Sequence, residues 1–218
     1  MTTPLPLVAP RLESLGLSSG RPLVLIDVDE VLGLFMQGFG DFLLTRGLEL
    51  RIDRFALFQN IYRPGGSEHL ELTEGKALFD TFFADHCDDM EPAPGAIDAL
   101  CRLSGHAEIL ILSNAPAAAE RLRTNWLRKH GLAHPLILNT GPKGPIAAGL
   151  VSQTMHPTAF VDDLLGNLDS VVEHSPTTAT FQHVADLRLR PHAPASDRHP
   201  RIDDWAQLGE AIEVAVRR

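Results

Sequence analysis

Cysteine is scarce in this chain. The two that occur, Cys87 and Cys101, form no CxxC pair, which leaves no basis for a disulfide framework and points to two reduced thiols. Long apolar runs are also lacking. Nothing approaches the ~18 consecutive apolar residues that a membrane helix requires, so no membrane partner is expected. The opening residues Met1-Thr2-Thr3-Pro4-Leu5-Pro6 have neither a basic n-region nor an apolar core, so no signal peptide is expected and the expected location is cytoplasmic. Positive charge is in deficit, with 19 Lys and Arg against 28 Asp and Glu and a formal net charge of −9. That balance weighs against nucleic acid or an anionic membrane surface as a partner. It leaves small anionic substrates open, because a bound metal can reverse the field locally. Internal repeats and low-complexity tracts are absent.

What the chain does have is enough apolar material for one core and a small inserted module: 218 residues, 44% hydrophobic, mean hydropathy −0.01. Its organising stretch is Leu23-Val24-Leu25-Ile26-Asp27-Val28-Asp29-Glu30. Four aliphatic residues bounded by Gly20-Arg21-Pro22 have the pattern of a strand buried on both faces. The strand runs into two carboxylates one residue apart, and residues i and i+2 of an extended segment point the same way. Asp27 and Asp29 can therefore serve one site. Two such close carboxylates repel, and a divalent cation is the usual reason for both to be ionised.

Residues 34–91 differ in composition from the rest. Phe35, Phe39, Phe42 and Leu43 share one helix face, Asp53 can cap a second helix carrying Phe55 and Phe58, and Thr73 a third carrying Phe79, Phe82 and Phe83. The expectation is a small all-helical module inserted after the first strand, with the core formed by 1–33 and 92–218. From Glu91 onward, strands and helices alternate. Strands are expected near 106–112, 136–138, 158–161 and 178–184, and helices near 92–103, 116–130, 146–152, 164–173 and 204–216. Such alternation means parallel strands with right-handed crossovers, hence an α/β fold with a doubly wound parallel sheet. Residues 1–22 read as a leader with one helical turn around 11–17.

In open α/β sheets, sites form at the carboxyl ends of the strands. Asp27 and Asp29 follow the first strand, Ser113-Asn114 the next, Lys143 lies in the loop after the third, and Asp162-Asp163 end the fourth. Several oxygens gathered at one place make a hard-cation site, and Mg²⁺ takes one or two carboxylates together with waters and substrate phosphate. Ser113 supplies a hydroxyl, Pro116 suits a helix start whose free N–H groups near Asn114 face an anion, and Lys143 supplies a point charge. Together these describe phosphoryl transfer through an aspartyl phosphate.

These four segments resemble the motifs of the haloacid dehalogenase-like (HAD) hydrolase superfamily: Asp27-Val28-Asp29, Ser113 after its apolar strand, Lys143, and Asp162-Asp163. The resemblance covers residues 22 to about 185, with 34–91 as the cap. It implies a Mg²⁺-dependent phosphatase acting on a small phosphorylated substrate. Asp27 would be the nucleophile and Asp29 the general acid/base, its carboxyl free to carry a proton. Mg²⁺ would be held by Asp27, the Asp29 backbone carbonyl, Asp162 and Asp163, and the phosphoryl oxygens by Ser113, Asn114 and Lys143. A small-capped nucleotidase of the deoxyribonucleotidase kind and a phosphomutase remain open, as does a catalytically idle domain used for binding. A dehalogenase is disfavoured because the resemblance ties that chemistry to loss of the second aspartate. Glu30 departs from the pattern, standing where many relatives have Gly, and its effect on substrate choice is open.

Two further groups of residues invite attention. The late cluster His183, His192 and His199 with Asp186 and Asp197 suggests a second metal site, against which stands a solvated loop, the favoured reading. The basic residues of the insertion, Arg46, Arg51, Arg54, Arg63 and Lys76, read by default as a solvated face.

Overall fold

The computed structural model describes residues 9–217. Met1–Pro6, read above as carrying no signal segment, lie outside that range. In chain order the elements are β1 (Leu23–Ile26), α1 (Phe35–Thr45), β2 (Glu49–Leu50), β3 (Ile61–Tyr62), α2 (Leu72–Asp85), α3 (Ala96–Ser104) and β4 (Glu108–Asn114). They continue with α4 (Glu120–Lys129), β5 (Leu136–Asn139), α5 (Gly144–Val151), β6 (Thr158–Asp162), α6 (Leu165–His174), β7 (Ala179–Gln182) and α7 (Trp205–Val216).

Five strands form one parallel sheet in the order β5-β4-β1-β6-β7. The fold is therefore the expected α/β Rossmannoid arrangement, with β1 at its centre. Chain order explains the layers. Strand β1 pairs on one side with β4, Ile26 opposite Ile111, and on the other with β6, Ile26 opposite Val161. Its alternating side chains feed two separate cores. Val24 and Ile26 pack with Ala99, Leu100, Trp126 and Trp205 of α3, α4 and α7, whereas Leu23 and Leu25 pack with Ile146, Leu150 and Leu168 of α5 and α6. A strand between two helix layers is buried on both faces, which is why its sequence is an unbroken aliphatic run. The order also brings Asp27 and the carboxyl ends of β4 and β6 to one edge.

Residues 34–91 hold α1, α2 and, in addition, a two-stranded antiparallel ribbon of β2 and β3. The helix expected from Asp53 is replaced by a loop and a 3₁₀ turn at Phe58–Asn60. The side-chain amide of Asn60 donates to the carbonyls of Arg54 and Ala56, at 3.0 and 2.7 Å, so the segment bonds to itself as a loop. Helix α2 begins at Leu72 rather than being capped by Thr73. The phenylalanines of α1 and α2 interlock, with Phe39 and Phe82 at 5.4 Å and Phe35 and Phe82 at 5.7 Å between ring centroids. Their cluster runs without a break into the core of α3, α4 and α7. Among the described residues, no helix is long and apolar enough to cross a membrane.

Candidate active site

The candidate residues converge at the carboxyl edge of the sheet. Asp27, Asp162 and Asp163 are buried, and one oxygen of each lies within 4.8 Å of the others. Lys143, fully buried at the start of α5, lies between two of them, its Nζ 2.7 Å from Asp27 Oδ1 and 2.6 Å from Asp162 Oδ2. Only the contact to Asp162 is aligned as a hydrogen bond; Asp27 Oδ1 is a buried acceptor without an aligned donor.

The position of Lys143 depends on the next residue. A Cβ on Gly144 would stand 2.2 Å from the carbonyl oxygen of Ser170, so glycine alone lets α5 approach α6 this closely. Asp162 is held rigidly. Its Oδ1 accepts from the backbone N–H of Leu164 at 2.9 Å and from Asn167 Nδ2 at 3.0 Å. Asn167 thus supports the site, although the motif reading did not include it.

Three carboxylates and one ammonium leave two negative charges unbalanced when all are ionised. Burial, opposed by Lys143 and reinforced by the charge of Asp162, pushes the Asp27 carboxyl up to about 7. Asp163 is pushed well above the carboxylate range, first by burial and then by Asp162 and Asp27. Burial opposes the charge on Lys143, but Asp162 and Asp27 outweigh it and raise its pKa. A hard divalent cation suits this donor set: carboxylate oxygens only, one of them unpartnered, with an excess charge equal to that of the ion. Asp27, Asp162 and Asp163 would hold it. The carboxylate of Asp29 is not in this group.

Ser113 is buried near the end of β4, and its Oγ has no hydrogen-bond partner. Asn114 lines the cavity, but its amide is committed to the neighbouring turn, donating to the Gly141 carbonyl at 2.9 Å and accepting from Asn139 at 2.8 Å.

The environment of Asp29 differs from the expectation of a free carboxyl. Both of its oxygens accept from Arg123 Nη2, at 2.7 and 2.8 Å. Arg123 is fully buried on α4, with its guanidinium 5.1 Å from the Phe83 ring centroid. It lies on the buried face of its helix with Leu122, Trp126 and Leu127. A cation within an apolar stripe was the signal in the sequence that could have found it.

Glu30 is also explained. It adopts a left-handed backbone with φ 58°, and its buried carboxylate accepts from the N–H groups of Met36 at 2.7 Å and Asp186 at 2.9 Å. It joins the start of α1 to the loop after β7 instead of facing the cavity opening as a free charge. Burial pushes it up to about 7, against the two N–H bonds that favour its ionised form.

The remaining groups separate. His199 is buried between Thr180, at 2.7 Å, and Asp169, at 3.1 Å, while His183 bonds the Ile202 carbonyl at 2.8 Å. Asp186 pairs with Arg188 at 2.6 Å. The favoured solvated-loop reading thus fails for two of the histidines, yet no second metal cluster appears among the described residues. In the insertion, Arg51, Arg54, Arg63 and Lys76 pair with Glu49, Asp53, Glu74 and Asp80, and Arg46 lies over the Phe42 ring.

A cavity of about 270 Å³ opens above the carboxylates. Asp27, Asp29 and Asp163 form its floor, and Phe35, Phe79 and Phe83 from α1 and α2 form part of its wall.

No protein-family model and no curated protein matches the sequence. Solved structures do match, among them proteins described as HAD-superfamily hydrolases. One, from Ehrlichia chaffeensis, aligns with a TM-score of 0.54 at 16% identity over 91% of this chain and 100% of the other. A Bacillus subtilis protein described as a HAD-hydrolase, YfnB, bound to magnesium, aligns at 0.61 and 12% identity over 88% and 99%. A Lactobacillus plantarum protein described as a phosphoglycolate phosphatase aligns at 0.53 and 16% over 88% and 99%. The chain therefore has the HAD-like fold over nearly its whole length.

Proposed function

We propose that this protein is a Mg²⁺-dependent phosphohydrolase that cleaves a small phosphate monoester through a phosphoryl group carried on Asp27. The observation that carries the reading is the buried cluster of Asp27, Asp162, Asp163 and Lys143, whose excess of two negative charges matches a divalent cation. The magnesium bound in the Bacillus subtilis structure is consistent with it. When bound, Mg²⁺ would keep Asp27 ionised and offset charge on the transferring group.

The side chains then divide the work. A carboxylate oxygen of Asp27 attacks phosphorus as the bond to the leaving alcohol oxygen breaks. Water next attacks the same phosphorus, releasing inorganic phosphate and restoring the Asp27 carboxylate. Lys143, already against Asp27, offsets charge at the reacting centre, and the Ser113 hydroxyl donates to a phosphoryl oxygen. Asp29 lines the cavity beside Asp27, with its carboxylate bound to Arg123, and is placed to take the proton from the attacking water. Protonating the leaving oxygen requires Asp29 to enter the substrate complex carrying a proton and turned away from Arg123; the attacking water then returns that proton to it.

The test is Mg²⁺-dependent release of phosphate from an aryl phosphate, abolished by chelator and by Asp27→Asn. Peptide mass spectrometry of acid-quenched Asp29→Asn should find the phosphoryl group on Asp27. A phosphoryl group elsewhere, or full activity in Asp27→Asn, overturns the reading.

A further inference from the structure

We propose that the group esterified to phosphate in the substrate is small, uncharged and apolar, the size of one ring or a short alkyl chain. This rests on the phosphohydrolase reading for the position of the phosphoryl group, but the argument comes from the wall of the cavity. Above the carboxylate floor, the side chains facing the space are Phe35, Phe55, Leu57, Phe79, Phe83 and Leu189. The polar residues that also reach it are otherwise engaged. The Glu30 carboxylate holds two backbone N–H groups, Asn167 holds Asp162, and Asn114 holds the Gly141 turn.

Cations are missing from the lining. Arg51, Arg54, Arg63 and Lys76 are paired at the surface, Lys143 lies between Asp27 and Asp162, and Arg123 is bound to Asp29. A second anionic group on the substrate would therefore meet phenyl rings and carboxylates. A sugar would lose its water without gaining partners, and each hydroxyl so stranded weakens binding roughly tenfold. Size points the same way. An apolar cavity of ~150 Å³ accommodates benzene, and this one, at about 270 Å³, must also admit the phosphoryl group.

The experiment uses the full chain with Mg²⁺ and two sets of probes. Hydrolysis of methyl, ethyl, propyl and butyl phosphate is compared with that of glycerol 3-phosphate and phosphoglycolate. These alcohols differ more in polarity than in leaving ability. The specificity constant is expected to rise about two- to fourfold per methylene up to the filling of the cavity, and butyl phosphate should exceed phosphoglycolate by roughly 100-fold. Calorimetry with butylphosphonate and phosphonoacetate, which cannot be hydrolysed at an ester, reads the same preference without turnover. Leu57→Arg, with its fold checked by circular dichroism, should shift the preference toward the carboxylated ligands, and Phe79→Leu should weaken butylphosphonate binding if the arginine is not tolerated. Preferred binding or turnover of the hydroxylated or carboxylated probes overturns the proposal while leaving the phosphohydrolase reading intact. Preferred binding of butylphosphonate with no turnover of any ester overturns the phosphohydrolase reading and supports the apolar pocket.

Discussion

The floor and the wall of the cavity are built on opposite terms. The floor is polar, buried and fixed. Asp162 alone accepts from Lys143, Asn167 and the Leu164 N–H, and Gly144 admits the close helix contact that sets Lys143 in place. The wall is apolar, partly exposed at Phe55, Leu57 and Phe79, and held by ring packing in the α1–α2 insertion. A buried charge left unpaired is costly, so the floor tolerates little change. Ring packing is adaptable, and a wall built from it can be reshaped without disturbing the chemistry. The two regions meet at Asp29, whose carboxylate faces the cavity while its partner Arg123 lies against Phe83 of the insertion.

The comparison is broken most completely by Asp27→Asn, which should reduce phosphate release by roughly 10⁴-fold or more while leaving binding of apolar phosphonates in the wall measurable by calorimetry. Asp29→Asn comes next. Removing acid–base help costs ~10²–10⁴-fold, and rapid-quench kinetics should show a burst with slow turnover. Arg123→Met removes one partner of a mostly buried ion pair and is expected to cost about 3–5 kcal/mol in urea unfolding. The double variant Arg123→Met with Asp29→Asn should recover part of that loss, which a double-mutant cycle measures directly. Gly144→Ala should cost about 1–3 kcal/mol by overpacking against Ser170, as urea unfolding would show.

The smallest effect is on pH dependence. Asp27 and Asp163 have folded-state pKa values raised above the carboxylate range, Asp27 to about 7. Such groups bind their protons more tightly in the folded chain than in the unfolded one. They therefore oppose folding increasingly as pH rises from the unfolded value of ~4 through the folded value. This pair alone should make the metal-free protein less stable at about pH 8 than at about pH 5. Added Mg²⁺ should raise the melting temperature more at the higher pH, since it binds the ionised, folded form. Asp163→Asn should flatten the difference, and thermal melts at the two pH values check it.

Much of the floor was legible because strand ends are local features. An apolar run of four or five residues followed by Asp or Ser marks where a strand stops, and a doubly wound sheet places such ends along one edge. That reasoning reached Asp27, Ser113 and Asp162, and it reached Lys143 as the cation in the loop after the third strand of the alternation. It could not reach Asn167, which looks like any polar residue in a helix until the turn after β6 folds its amide back onto Asp162. It gave the insertion helices their faces but missed the β2–β3 ribbon, because two-residue strands leave no periodicity to read. The helix expected from Asp53 is instead a loop closed by the side chain of Asn60.

The sequence by itself determined the parallel sheet, the burial of β1 on both faces and the set of oxygens available to a cation. Each of these follows from a pattern of neighbours along the chain: hydrophobic period, strand-helix alternation, and acidic residues just past an apolar run. The state of each acid was decided only in three dimensions. Asp27 and Asp29 stand one residue apart with the same side chain. Yet one lies with Asp162, Asp163 and Lys143 in a buried cluster, and the other is bound through both oxygens to Arg123 from a helix far along the chain. Burial and charge act through space, so a carboxylate's environment is set by whichever side chains the fold brings against it.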